Sequence, residues 1–233
     1  MAPDEPHPHA DLDADKEMLH GYLRIRRADL LAKLDGLGEY DIRRPLTPTG
    51  TSLLGLVKHV ASVQYDYFGQ VFGRPGRDIP WLADDAPDDA DMWATAAESR
   101  AEIVAFHEYS AAHSDETIAE LPWDAPGEVP WWPEERRTVT LQQILVHMVA
   151  ETSRHAGHAD ILGEIVDGSV GNGSADPNIP GRTAEQWAAY SARLEAAAVE
   201  AAGTEAAGGE IAPAQATPAE GAGEEGSATP RTS

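Results

Sequence analysis

Glu151 and His155 are the residues of this 233-residue chain whose spacing points most directly to chemistry. They lie four positions apart in helical sequence over Thr140–Asp167, so a helix places the carboxylate and the imidazole one above the other on one face. Such a pair suits a divalent metal ion, which needs at least one further ligand from another element. We expect His59, on the second predicted helix, to supply that ligand.

Each of these residues also has an ordinary structural interpretation. The polar stripe of His147, Glu151 and His155 could simply face water, and His59 could be a histidine at the edge of the core. The metal interpretation gains support if the second and fourth helices are antiparallel, because His59 then comes level with His155. Two imidazoles and one carboxylate suit zinc and leave a fourth position open, as in catalytic zinc sites. Iron, nickel or manganese would fit as well.

Trp131 and Trp132, in the segment Val-Pro-Trp-Trp-Pro, are the candidate ligand-binding residues outside the metal set. As a lid or stacking platform they would contact a sugar-like or aromatic ligand. As a structural plug they would close the end of the helices. No glycine-rich phosphate loop, Ser/His/Asp order or nucleophile elbow occurs in the sequence.

Composition argues against several classes of protein. The formal charge is −23 and no basic face is present, which argues against nucleic-acid binding. No Lys/Arg-rich amphipathic segment, bilayer-length apolar run or signal-peptide core is found, so we expect no membrane association and a cytoplasmic location. Cysteine is absent, which excludes disulfides, thiolate-ligated zinc and a cysteine nucleophile. Any thiol chemistry must therefore use a thiol brought from outside.

Four amphipathic helices are predicted to position these residues. Their apolar residues recur at helical spacing over residues 13–37, 52–72, 90–113 and 140–167. Four such helices without a credible strand predict an all-α fold, a four-helix bundle. The connection over residues 73–89 is long enough to return along the bundle, so the second and third helices are predicted to be parallel.

The chain divides by composition into four parts. They are a flexible N-terminus over residues 1–11, the bundle over 12–170, a loop with an extra short C-terminal helix over 171–202, and an acidic low-complexity tail over 203–233. The tail is rich in Ala, Gly, Glu and Pro and cannot bury a core, so we predict that it is disordered. The short helix carries Trp187, Tyr190 and Leu194 at helical spacing, a pattern that could dock on the bundle.

With these residues identified, the chain resembles the DinB-like superfamily of metal-dependent four-helix bundles over about residues 13–168. Typical members carry one His on the second helix and His-x-x-x-His followed by Arg-Gly-Gln on the fourth. Here Glu151 replaces the first His of that pair, and Ala-Gly-His158 replaces the tripeptide. This departure is similar to the branch with mycothiol-dependent maleylpyruvate isomerase and mycothiol S-transferases. Its His, Glu and His zinc ligands correspond to His59, Glu151 and His155, and its bundle runs up-down-down-up.

The resemblance implies a zinc-dependent transferase or isomerase that uses mycothiol as a small-molecule thiol against an electrophilic small molecule. It would act as a monomer or homodimer. A metal-dependent hydrolase is the first alternative, in which the metal activates water and His158, Glu164 or Asp66 serves as base. The second alternative is a non-enzymatic metal-binding stress or interaction protein whose acidic tail engages partners.

Overall fold

The computed structural model describes residues 8–171, 176 and 178–208. Within that part of the chain, six α-helices account for most of the structure, joined by short 3₁₀ turns and one pair of short strands. The elements in chain order are α1 (Pro8–Ala32), α2 (Glu39–Arg43), α3 (Leu53–Phe68), α4 (Arg100–Glu120), β1 (Pro126–Glu128), β2 (Thr138–Thr140), α5 (Leu141–Asp167) and α6 (Ala184–Gly208). None of the described helices is long and apolar enough to span a bilayer.

The first and third helices of the bundle, α1 and α4, run antiparallel. Near the start of α1, Lys16 donates to the carbonyl of Leu121, which follows α4, at 2.7 Å. At the opposite end, Arg100 at the start of α4 donates to the carbonyl of Leu37, which follows α1, at 2.6 Å. These two contacts join opposite ends of the helices.

The second and fourth bundle helices, α3 and α5, also run antiparallel. The rings of His59 and His155 lie 4.9 Å apart, whereas Tyr67, two turns further along α3, lies 4.8 Å from His147, two turns earlier in α5. The antiparallel orientation on which the metal interpretation depends is therefore present, and it brings His59 level with the Glu151–His155 turn.

The helices α3 and α4 are parallel, as the long connection between them predicted. Ser110 of α4 donates to the carbonyl of Ala61 in α3 at 2.7 Å, and further along both helices the rings of Tyr65 and His113 lie 5.5 Å apart. Together with the two antiparallel pairs, this confirms an all-α bundle with up-down-down-up topology.

Buried apolar side chains form one cluster on each side of the candidate ligands. On α3, Val60 belongs to one cluster and Val63 to the other; on α5, Ala156 and Met148 are divided in the same way. Fully burying one such side chain contributes about 1.5–3 kcal/mol for the larger aliphatic and aromatic residues. The polar ligands therefore form a layer between two well-packed apolar regions.

The third bundle helix differs from its predicted position at residues 90–113. The helix α4 begins at Arg100, because Ser99 and Glu102 form a capping box that satisfies the first backbone N–H groups. Met92 and Trp93, which were predicted on the apolar face of this helix, lie exposed in the preceding loop. The helix continues to Glu120 rather than ending near residue 113.

The connection between α4 and α5 contains a small antiparallel pair of strands that the sequence analysis did not predict. Pro126 of β1 lies opposite Thr140 of β2, and Glu128 lies opposite Thr138. Strands of three residues are too short to show an alternating pattern in the sequence, which explains the omission.

The helix α6 belongs to a second compact unit and is longer than expected. Within that unit, the Arg182 guanidinium lies 4.5 Å from the Trp187 ring centre and 4.4 Å from that of Tyr190. The predicted tail over residues 203–233 falls outside the described residues except for the end of α6. Residues 1–7 of the predicted flexible N-terminus also lie outside them.

Candidate metal centre

His59, Glu151 and His155 converge between α3 and α5. One ligand atom from each residue lies within 4.8 Å of those of the other two. The Nε2 atom of His155 is 2.9 Å from Oε1 of Glu151, and Nε2 of His59 is 4.0 Å from the same oxygen. The structure therefore brings together the three residues that the sequence singled out.

Local signals in the sequence explain why α5 presents two of these residues on one face. Thr140 and Gln143 form a capping box at its start, and Gly168, with φ of 78°, ends it in the left-handed conformation. The helix runs unbroken between these caps, so the four-residue spacing places Glu151 one turn before His155. Ser52 caps α3 in the same manner by accepting from the backbone N–H of Gly55.

All three side chains are buried, with 6% of His59, 6% of Glu151 and 9% of His155 exposed. A buried carboxylate is costly unless it has hydrogen bonds or a cation nearby. The hydrogen bond with the His155 imidazole lowers the pKa of Glu151, although burial alone would raise it. The site therefore favours an ionised carboxylate beside two imidazoles.

This donor set fits a divalent metal ion. Zinc ligands at about 2.0–2.2 Å from the ion lie about 3.4 Å from one another in a tetrahedron. The two separations from Glu151 Oε1, 2.9 Å to His155 and 4.0 Å to His59, lie on either side of that value. With all three ligand atoms within 4.8 Å of one another, these residues could hold such an ion, and three protein ligands leave one position open.

Asp91 completes the surroundings of His59, and sequence reasoning missed it. Its Oδ2 atom lies 2.7 Å from Nδ1 of His59, on the side of the ring away from Glu151. The apolar pattern over residues 90–113 predicted a helix there, which concealed the role of Asp91. The available signal was the acidic run Asp88-Asp89-Ala90-Asp91, although such runs are usually solvated.

Trp131 and Trp132 lie around Tyr67, next to the candidate metal centre rather than within it. Their indole Nε1 atoms are 3.4 Å and 2.9 Å from the Tyr67 hydroxyl. The rings of Trp132 and Tyr67 also contact His147, which lies one turn before Glu151 and whose pKa is lowered by burial. Both tryptophans pack on the apolar cluster at this end of the bundle, as a structural plug would.

Of the three bases considered for hydrolysis, only His158 lies beside the cluster. Its ring centre is 5.3 Å from that of His155, and the residue is exposed. Glu164 lies nine residues after His155, or about 13 Å along the helix axis, and Asp66 lies about 10 Å along α3 from His59. The fold therefore separates those two carboxylates from the candidate ligands.

Comparison with known proteins is consistent with this geometry. The model of a family described as mycothiol-S-transferase matches residues 18–168, more than half of the chain. A solved structure, the conserved protein of a locus from Enterococcus faecalis, aligns with a TM-score of 0.47 and 16% identity over 66% of this chain and 97% of its own. That similarity is too weak to inform function, and no curated protein matches the chain. The family match covers most of the bundle and all three candidate ligands, and the chain belongs to the mycothiol S-transferase family of the DinB-like superfamily.

Proposed function

We propose that this protein is a zinc-dependent mycothiol S-transferase or isomerase acting on an electrophilic small molecule. The observation that carries the proposal is the convergence of His59, Glu151 and His155 within the segment that matches the family. Three nitrogen and oxygen ligands leave zinc short of its usual four. The chain has no cysteine with which to complete the set, so an external thiol is a suitable fourth ligand.

The proposed reaction needs a thiolate at neutral pH. A zinc ion at this site would supply that chemistry, because coordination to zinc deprotonates a thiol. In a transfer reaction, a sulfur lone pair would form the new S–C bond, the leaving group would depart with the electrons of the broken bond, and the thiol proton would pass to solvent. In an isomerisation, the thiol would act as a nucleophile that is regenerated at the end of the reaction.

Trp131 and Trp132 remain the proposed contacts for the sugar-bearing part of the thiol. Both tryptophans contact Tyr67, and Trp132 also contacts His147, one turn before Glu151, so they are the aromatic side chains we propose for the cofactor. Aromatic side chains with a few polar groups are typical of small-molecule sites. Replacing Trp131 with Leu should raise the KM for mycothiol while zinc content stays at one equivalent. An unchanged KM would remove this tryptophan from the cofactor site.

The cobalt form of the protein provides the direct test of thiol coordination. Adding mycothiol to the cobalt-substituted wild type should produce a sulfur-to-metal charge-transfer band. Glu151→Ala should abolish the band, whereas Glu164→Ala, which removes an exposed carboxylate from the same helix, should retain it. If the wild-type spectrum is unchanged at saturating mycothiol, the thiol-transferase proposal fails.

A metal-dependent hydrolase is the alternative function for the same site. The position of His158 beside His155 favours it, because a neutral imidazole near the metal centre could accept a proton from water. Turnover of an ester or amide by the zinc form without any thiol, and its loss in His158→Ala, would support hydrolysis over thiol transfer.

We place the protein in the cytoplasm, where low-molecular-weight thiols are kept reduced. We expect a monomer or homodimer, which sedimentation of the purified protein would distinguish.

A further inference from the structure

The loop that precedes α4 approaches α3 unusually closely at Gly55. A Cβ atom at this position would lie 2.2 Å from the carbonyl oxygen of Met92 and 2.9 Å from Oγ of Ser52. Real Cβ atoms do not come so close to backbone oxygen, so only glycine fits here. The loop backbone therefore rests directly on the first turn of the helix that carries His59.

Lys58, the neighbour of His59 on α3, binds this loop through hydrogen bonds from its ammonium group. Its side chain is 1% exposed, and its Nζ atom donates to the carbonyls of Ala90 at 2.6 Å and Trp93 at 3.0 Å and to the carboxylate of Glu98 at 2.7 Å. A lysine ammonium group has three donors and no acceptor, so these partners use its full capacity. Burying the charge without them would be strongly unfavourable.

The two carbonyl groups bound by Lys58 lie on either side of Asp91 in the chain. Asp91 in turn places Oδ2 2.7 Å from Nδ1 of His59. A carboxylate is an acceptor, so this contact puts the imidazole proton on Nδ1 and leaves the Nε2 lone pair directed away from Asp91. The Nε2 atom is the one that lies 4.0 Å from Glu151.

His155, the second imidazole of the centre, has no carboxylate at its Nδ1 atom among the described residues. Nδ1 of His155 is buried and makes no hydrogen bond among the described residues. Carboxylates that accept a hydrogen bond from a metal-binding imidazole fix its tautomer and orientation. Within the described structure, this feature is found at His59 and not at His155.

We propose that Asp91 is the positioning carboxylate for His59, and that Lys58 supports the metal centre without touching it by fixing the loop on both sides of Asp91. This inference rests on the metal site of the proposed function. It extends that site to Lys58 on α3 and to Asp91, which lies in a loop 32 positions after His59.

The test compares zinc affinity in three variants without any thiol present. Asp91→Asn and Lys58→Met should each bind zinc about 10–100-fold more weakly than the wild type. Asp88→Asn is the matched control, because it removes the same charge from an exposed position in the same loop, and its affinity should equal that of the wild type. Equal affinities in Asp91→Asn and Asp88→Asn would overturn the role of Asp91.

Nitrogen-15 spectra of the metal-free histidines provide a second readout that a merely structural role would not change. In the wild type and in Asp88→Asn, the His59 proton should lie on Nδ1. In Asp91→Asn and Lys58→Met, both tautomers should be present. A folded Lys58→Met protein with the wild-type tautomer and zinc affinity would overturn the role of Lys58.

Two further outcomes keep the inference separate from the proposed function. If Lys58→Met does not fold, Glu98→Gln replaces it, because this change weakens the interaction of Lys58 with the loop. A zinc affinity of Glu98→Gln equal to that of the wild type would contradict the inference. If the wild type binds no metal, the metal site of the proposed function fails, while the His59 tautomer still tests Asp91. Failure of the thiol test alone leaves these measurements unaffected.

Discussion

At the scale of single residues, the centre depends on groups that satisfy one another while buried. Glu151 has the His155 imidazole at 2.9 Å, and His59 has Asp91 at 2.7 Å. Removing one member of such a set leaves the other members buried without a partner, which costs more than the lost contact itself. Substitutions at the centre should therefore affect both metal content and stability.

Alanine at His59, Glu151 or His155 should sharply lower the zinc content of the purified protein, because two remaining ligands cannot hold the ion tightly. The measurement is metal analysis after dialysis of the untagged protein. His158→Ala is the control, since this histidine lies on the same helix but is exposed. A full equivalent of zinc in His59→Ala, with unchanged affinity, would show that the ligand set is wrong.

At the scale of secondary-structure elements, buried polar groups lie where α1, α3 and α4 meet. Arg27 of α1 donates to Gln64 of α3 at 2.6 Å and forms an ion pair with Asp115 of α4. His107 of α4 is 3% exposed. Its burial, with a contribution from the positive charge of Arg27, lowers the pKa of His107 to about 4. The bundle therefore contains a histidine that folds in its neutral form.

The depressed pKa of His107 predicts a loss of stability in mild acid. Between the unfolded pKa of about 6.5 and the folded value, the unfolded chain binds the extra proton, so the free energy of unfolding falls as the pH falls. The difference between the unfolded and folded pKa values of His107 corresponds to about 3 kcal/mol of stability, which is lost mainly between pH 6.5 and 4. Urea unfolding at several pH values gives the free energy of unfolding against pH for the wild type and for His107→Leu. The difference between the slopes of these two curves measures the contribution of His107. Parallel curves would contradict the prediction.

Asp115 contributes in a different pH window. Burial raises its pKa, but the hydrogen bond from His20 and the charge of Arg27 outweigh that effect and hold the pKa well below its usual value. The stabilisation from Asp115 is complete above its unfolded pKa and is lost only as the pH falls below about 3.8. Asp115 therefore contributes little to the pH dependence of the free energy of unfolding between pH 6.5 and 4, where His107 acts.

The close approach of the loop to α3 makes Gly55 a sensitive position. Gly55→Ala should destabilise the protein by about 1–3 kcal/mol, because the new methyl group overlaps the backbone oxygen of Met92. Gly21→Ala is the matched control in α1, where no atom lies within 4 Å of the added Cβ and the better helix propensity of alanine should stabilise by about 0.5–1 kcal/mol. Denaturant unfolding of both variants measures the two changes in the free energy of unfolding. Equal changes would mean that the loop does not pack against the helix.

At the scale of the whole molecule, the bundle carries the candidate centre and nearly all of the family match, which ends at residue 168. The helix α6 belongs to the second compact unit. The chain after residue 208 is rich in Ala, Gly, Glu and Pro and has few bulky apolar residues. From this composition we predict that the segment is dispensable for the fold.

A chain that ends at Gly208 should keep the melting temperature and the zinc content of the full-length protein. This end point preserves the whole of α6, whereas ending near residue 202, as composition alone suggested, would cut the helix. Calorimetry and metal analysis of the two proteins provide the comparison. A lower melting temperature after truncation would show that the tail packs on the folded part.

The sequence by itself determined the features that depend on near neighbours. Helical periodicity identified the bundle, the four-residue spacing placed Glu151 and His155 on one face, and Ser52 marked the start of α3. The start of α4 was equally local, since Ser99 and Glu102 form a capping box, but the apolar residues before it concealed that signal. These features depend on contacts between residues three or four positions apart, which the sequence displays directly.

Only the tertiary structure decided which distant groups meet. No spacing links Asp91 to His59, Lys58 to the carbonyl groups of the loop, or Arg27 to Asp115, because each pair joins different elements. These contacts depend on how the helices pack and on how closely the loop approaches Gly55, so they follow from the shape of the whole core. Local rules therefore predicted the ligands of the candidate centre, whereas the groups that hold those ligands in place became visible only in the folded chain.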